Sequence, residues 1–236
     1  YEIARSIGAD ITLLPVRPIS APADANGASQ AHWMIDLDEL RSAVRHNTRL
    51  LVTSFPHNPT GALPTQAEWR DIASVVEEAG LHWISDEVYR GMEFDPARRL
   101  PAAADISDRA LSIGAMSKTY AMAGARIGWA ATRDARLREA LQSYKDYTTI
   151  CNSAPSEILS IIALRQHEKV AARSLAIVAA NLAHARPFFE RHGDVFDFTP
   201  PSAGSIGFPK LKRGDVDVFA DALVREAGTL ILPASA

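Results

Sequence analysis

The chain has 236 residues, 47% of them hydrophobic and 22% charged, enough to bury a core as one large domain or as one domain and part of a second. A formal net charge of -3 gives no electrostatic basis for nucleic acid or an anionic membrane as partner. With Cys151 as the single cysteine, no apolar run of membrane-spanning length and no signal-peptide pattern at the N-terminus, a cytoplasmic globular protein without a disulfide framework or a metal centre is expected.

In chain order, residues 1–8 read as an amphipathic helix ending at Gly8, and 11–16 as a strand. A loop rich in Pro, Ala, Asn and Gly follows over 18–29, then a helix over 36–46. The apolar run 50–55 has strand length and is stopped by Pro56-His57-Asn58-Pro59-Thr60-Gly61. Thr65 and Glu68 stand at capping-box spacing before a helix with Trp69, Ile72, Ala73, Val76 and Ala79 on one face and Gly80 at its end. Strands follow at 81–86, 111–116 and 127–132, too continuously apolar for a sheet wet on one face. The pattern predicts an α/β domain over 1–150 with a mostly parallel sheet flanked by helices.

From 153 to about 192 the chain turns helical and alanine-rich, with Pro187 expected to kink or end the helix near Arg186. Strand and turn are expected over 197–211, a helix over 217–227 closed by Gly228, and a last strand over 229–233. Residues 151–236 thus read as a connecting helix and part of a smaller α+β domain. Tyr1 in place of an initiator methionine, together with elements at both ends, suggests an internal piece of a longer protein.

Lys118 is the only lysine among the first 144 residues, in a chain that otherwise uses arginine. A guanidinium stays protonated, whereas an ammonium can lose its proton and attack a carbonyl, so a lone amine points to imine chemistry. Ligands of parallel α/β sheets gather at the carboxyl ends of strands. Asn58 follows one strand, Asp86 ends the next and Lys118 follows the third. Pyridoxal 5'-phosphate accounts for all three: a lysine for its aldehyde, a carboxylate for its ring nitrogen, and donors such as Asn58 and Tyr89 for its phenolic oxygen. Arg126 and Ser117 are the nearby candidates for its phosphate. His57 reads as a loop residue and Cys151 as a structural thiol.

Asn58-Pro59-Thr60-Gly61, Ser85-Asp86-Glu87-Val88-Tyr89, Ser117-Lys118-Thr119-Tyr120 and Gly124-Ala125-Arg126-Ile127-Gly128-Trp129 together resemble the successive signatures of the class I/II aminotransferases, fold-type I enzymes that use pyridoxal phosphate. Residues 1–16 and 201–211 are similar to the family's early helix and strand and to its small-domain glycine turn. The resemblance implies Lys118 as Schiff-base lysine and acid/base, Asp86 on the ring nitrogen, Tyr89 and Asn58 on the phenolic oxygen, Arg126 on the phosphate, and Asn58 facing the substrate carboxylate. It also implies a homodimer acting on an amino acid and a 2-oxo acid. Where many relatives carry a phosphate-binding serine three residues before the lysine, Ala115 stands, which leaves Ser117 or another group for that contact. The family's glycine-containing phosphate loop, ring-stacking aromatic and carboxylate-clamping arginine are expected outside these residues, and Ser205 and Phe208 near the substrate. On the same residues a lyase or cyclase remains an alternative to transamination, as does a non-catalytic sensor domain.

Overall fold

The computed structural model describes residues 2–20 and 31–234. A short helix α1 (Glu2–Ser6) buries no residue, and strand β1 (Arg17–Ser20) forms an antiparallel hairpin with β2 (Ala31–Met34). Helix α2 (Leu37–Ala43) starts at Asp36, whose carboxylate accepts from Asp38 N and Glu39 N. Then come β3 (Leu50–Ser54), α3 (Gln66–Glu78), β4 (His82–Asp86), α4 (Ala103–Ile106), β5 (Ala110–Ala115) and β6 (Gly128–Ala131). The C-terminal part holds α5 (Ala135–Thr148), α6 (Ala154–Arg165), α7 (His167–Arg191), β7 (Phe196–Asp197), β8 (Lys210–Leu211) and α8 (Val216–Ala227).

The central sheet has the order β3-β4-β5-β6, with the first three strands parallel and β6 antiparallel to β5. This is the expected α/β fold, with a mixed, mostly parallel sheet. Alternation puts Leu51, Thr53, Trp83, Ser85, Ala110 and Ser112 on one face, where α3 packs Trp69, Ile72, Ala73 and Val76 into the core. The predicted capping box is present, since Thr65 Oγ1 accepts from Glu68 N at 3.2 Å and Glu68 Oε2 accepts from Thr65 N at 2.7 Å. Trp69 stands edge-on to Trp83 with centroids 4.7 Å apart. Each indole also finds an acceptor: Trp83 Nε1 donates to Thr53 Oγ1 at 2.8 Å and Trp69 Nε1 to the Pro101 carbonyl at 3.0 Å. On the opposite face Leu50 and Val52 stay exposed.

Several expectations are corrected. Residues 11–16 are not a strand: no neighbour offers a ladder there among the described residues, although Leu14 and Val16 pack against the core. The Pro/Gly-rich loop begins later than Pro18, which is already in β1, and most of it lies outside the described residues. Pro187 does not end its helix, because α7 runs through it to Arg191. Losing one backbone hydrogen bond there is offset by continuing the helix far enough to seat Phe188 and Phe189 against Phe196 and Phe198, with Phe189 stacked on Phe198 at 4.3 Å. Residues 229–233 carry no strand among the described residues. Helix α5, for which the periodicity predicts nothing, is started by Asp134, which accepts from Arg136 N and Leu137 N.

Candidate active site

The parallel strands β3, β4 and β5 end at Ser54, Asp86 and Ala115, so the segments following them leave from one edge of the sheet. The antiparallel β6 begins at the same edge, where Gly128 pairs with Ala115. Topology therefore brings Asn58, Asp86, Tyr89, Ser117, Lys118 and Arg126 to this edge.

Asp86 is half-buried at the end of β4. Its Oδ1 accepts from Val88 N at 3.1 Å, an Asx turn that starts the loop, while Oδ2 has no hydrogen bond among the described residues. The Asp86 carbonyl accepts from Phe55 N at 3.1 Å, tying the strand end to the start of the Asn58 turn. Tyr89, only 3% exposed, lies one turn further on, and Lys118 Nζ stands 5.6 Å from its ring centroid. That distance is within the range of a cation–π contact. The Lys118 side chain is exposed, without an anionic partner among the described residues. A Cβ at Gly204, where φ is +83, would sit 3.7 Å from Tyr89 Cδ1, so the glycine turn near 204 backs the same ring.

Asn58 is exposed and Ser117 half-buried, and neither side chain is hydrogen-bonded among the described residues. The turn carrying Asn58 is held by His57 N to Ala62 O at 2.9 Å and by His57 Nδ1 to Thr60 Oγ1 at 2.8 Å. Burial lowers the His57 pKa below its ordinary value, consistent with a neutral ring in that turn. Arg126 is exposed, left-handed at φ 55, with one guanidinium nitrogen donating to Ala123 O at 3.0 Å. Ser205 is exposed, and Phe208 packs on Trp33 with centroids 6.2 Å apart.

Two residues carry structural weight that the motif reading does not assign. Thr119 is buried, and its hydroxyl donates to the Arg90 carbonyl at 2.8 Å, with the Val88 carbonyl at 3.3 Å as the weaker arm. Glu87 is buried, and its Oε1 accepts from Ala103 N at 2.8 Å and from Ser112 Oγ at 2.7 Å. A charged residue at an inward position of the alternating run 83–89 is the signal for Glu87. Nothing local marks Thr119, because its partners lie about 30 positions earlier.

An open cleft of about 530 Å³ adjoins this edge, lined by Arg90, Arg99, Thr119, Tyr120 and the first turns of α7. Lys118, Asp86 and Asn58 do not line it. No group of three or more His, Cys, Asp or Glu able to hold a metal occurs among the described residues, and none of their helices is long and apolar enough to cross a membrane.

The donor set fits pyridoxal phosphate. An amine without a counterion, a carboxylate oxygen with spare lone pairs, an amide, a phenol and a guanidinium match its aldehyde, ring nitrogen, phenolic oxygen and phosphate in turn.

Among known proteins, the family described as Aminotransferase class I and II matches residues 12–236. Capreomycidine synthase of Streptomyces vinaceus is 27% identical over 224 residues, covering 91% of this chain and 57% of that protein. The probable N-succinyldiaminopimelate aminotransferase DapC of Mycobacterium tuberculosis is 37% identical over 134 residues, covering 56% of this chain and 34% of its own length. The crystal structure of a PLP-dependent aminotransferase from Streptococcus suis has a TM-score of 0.87 at 28% identity, covering 100% of this chain and 59% of that one. The chain thus spans between about a third and three fifths of these proteins.

Proposed function

The chain belongs to the class I and II aminotransferase family, and from that premise we propose that it is part of a pyridoxal-phosphate-dependent aminotransferase moving an amino group between an amino acid and a 2-oxo acid. The observation that carries the reading is the approach of the Lys118 amine to the Tyr89 ring at 5.6 Å, beside the strand end that carries Asp86. When bound, pyridoxal phosphate supplies an aldehyde for amines and a ring that accepts electrons. Lys118 Nζ would hold the aldehyde carbon, Asp86 the ring nitrogen, Tyr89 and Asn58 the phenolic oxygen, and Arg126 with Ser117 the phosphate.

Each side chain then has a defined task. Lys118 Nζ would serve as base for the substrate α-proton and then, carrying that proton, as acid in a 1,3-proton shift. Asp86, its carboxylate held by Val88 N, would keep a proton on the ring nitrogen. Tyr89 and Asn58 would donate to the phenolic oxygen and so orient the group. The Asn58 amide would also face the substrate carboxylate.

Borohydride treatment of the full-length, cofactor-loaded protein tests this directly: the cofactor should become fixed to Lys118, and an unlabelled Lys118 in a folded, loaded sample would overturn the assignment. A second reading uses the same residues for elimination or cyclisation, and similarity to capreomycidine synthase supports it. With an amino donor alone, a transaminase turns its cofactor into the amine form, whereas a lyase or cyclase regains the aldehyde form; absorbance separates the two.

The division into a cofactor-binding part (1–150) and a connecting helix with part of a small domain (151–236) belongs to the same reading, as does a cytoplasmic homodimer. Support for the dimer comes from exposed apolar residues: Ile158, Leu159, Ile161 and Ile162 on α6, and Tyr144 and Tyr147 on α5.

A further inference from the structure

We propose that Thr119 is a positioning residue that holds the Lys118 amine over the Tyr89 ring. The proposal rests on the assignment of Lys118 as the reacting amine and deepens it.

Lys118 lies on an irregular turn beyond β5, where no strand ladder fixes the backbone. Two backbone bonds shape this turn from within, Ala121 N to Lys118 O and Met122 N to Met116 O, both 2.9 Å. Neither ties it to the loop that bears Tyr89. The Thr119 hydroxyl does: it is 2% exposed and donates across to Arg90 O at 2.8 Å, with Val88 O at 3.3 Å, so it grips the residues on either side of Tyr89. Its methyl group is caught as well, since a Cβ at Gly91 would come within 3.0 Å of Thr119 Cγ2.

The gripped loop is itself rigid. Gly91 N donates to both carboxylate oxygens of Glu93, at 3.1 and 3.0 Å. Glu93 is 1% exposed and accepts from Arg99 Nε at 3.1 Å. Arg90 Nε donates to the Leu100 carbonyl at 3.3 Å. One buried hydroxyl thus couples a mobile type of side chain, a lysine, to a turn braced from three sides. Without it, the Lys118 backbone would be free to drift relative to Tyr89 and Asp86, and the reacting nitrogen with it.

The test compares Thr119→Val, nearly equal in shape and lacking the hydroxyl, with Thr119→Ser, which keeps the hydroxyl, in the full-length protein. Trace acylation of the full-length protein stripped of cofactor, read by mass spectrometry, reports the reactivity of the free Lys118 amine without requiring turnover. In Thr119→Val the amine is no longer held against the Tyr89 ring, which covers one side of it, so acylation should rise about two- to fivefold, while Thr119→Ser stays at the starting value. In the loaded enzyme, Thr119→Val should lower kcat about tenfold to a hundredfold with little change in KM, and Thr119→Ser should restore it. Thr119→Ala removes the same hydroxyl with less bulk and is read in the same way should the valine variant misfold. An unchanged Lys118 acylation profile in Thr119→Val or Thr119→Ala, even with a lowered melting temperature, overturns the proposal, as does a serine variant that behaves like valine. Failure of borohydride to label Lys118 would strike the transaminase reading, whereas the acylation profile decides the role of Thr119 separately.

Discussion

Replacing Glu87 with alanine probes the buried polar link beneath Asp86. Helix α4 begins at Ala103 after Ala102, which offers no side-chain cap, so its first amide groups need acceptors from elsewhere. Glu87 Oε1 takes Ala103 N, and Ser112 Oγ takes Ala104 N at 3.0 Å while donating to the same carboxylate oxygen. A carboxylate at a helix N-terminus is also favourably placed in the field of the exposed amides. Glu87→Ala leaves the Ala103 amide and the Ser112 hydroxyl without their acceptor, at about 1–3 kcal/mol each, for a sum of about 2–6 kcal/mol. Glu87 lines a cavity of about 10 Å³, roughly one water, and the space left by truncation would let water reach the two donors. That favours the lower part of the range, about 2–3 kcal/mol. Glu87→Gln keeps an acceptor oxygen and loses only the charge assistance, so it should cost about 1 kcal/mol. With a urea m-value of about 2 kcal/mol per molar, the alanine variant shifts the unfolding midpoint down by about 1–1.5 M and glutamine by about half a molar. An alanine variant within about 0.5 kcal/mol of the parent, or a glutamine variant as damaged as alanine, would refute this account.

Asp86→Asn should keep the Asx turn through its amide oxygen but lose the charge that holds a proton on the cofactor nitrogen. Transamination is expected to fall about 100-fold or more with little change in melting temperature, and near-normal turnover would argue against the assigned role. Gly61→Ala forces a left-handed φ of +67 on a side chain whose Cβ would overlap Pro201 and lie 2.7 Å from the Ala203 carbonyl. A loss of about 2–5 kcal/mol follows, read as a drop in melting temperature, and a neutral substitution would show that the 201–204 turn is not docked there. His57, its pKa lowered by burial, binds its proton less readily folded than unfolded. The stability it contributes is complete above the unfolded value near 6.5 and is lost as pH falls below that value toward the lower folded one. His57→Gln should flatten this acid-side loss in urea midpoints measured between about pH 7.5 and 5, and parallel curves for the two proteins would contradict it.

The chain's own pattern was sufficient for much of this architecture because the signals concerned are local. The Thr65/Glu68 box starting α3, Gly228 closing α8 at φ 62, and Asp36 starting its helix involve residues within a turn of one another. The apolar runs before Asn58, Asp86 and Lys118 likewise announced strands whose ends carry the candidate site. Local readings failed where a distant partner decides the outcome. Residues 11–16 have strand composition but no ladder among the described residues, and of the two outcomes expected at Pro187 the helix does not end there but runs on to aromatic contacts such as Phe189 on Phe198. Tertiary structure alone turned β6 antiparallel, set Pro201 and Ala203 against Gly61 some 140 positions earlier, placed Glu87 as the missing cap of α4, and closed Thr119 onto Arg90. Capping and periodicity are written into neighbouring residues, whereas a hydrogen bond across loops exists only after the sheet has brought its strand ends together.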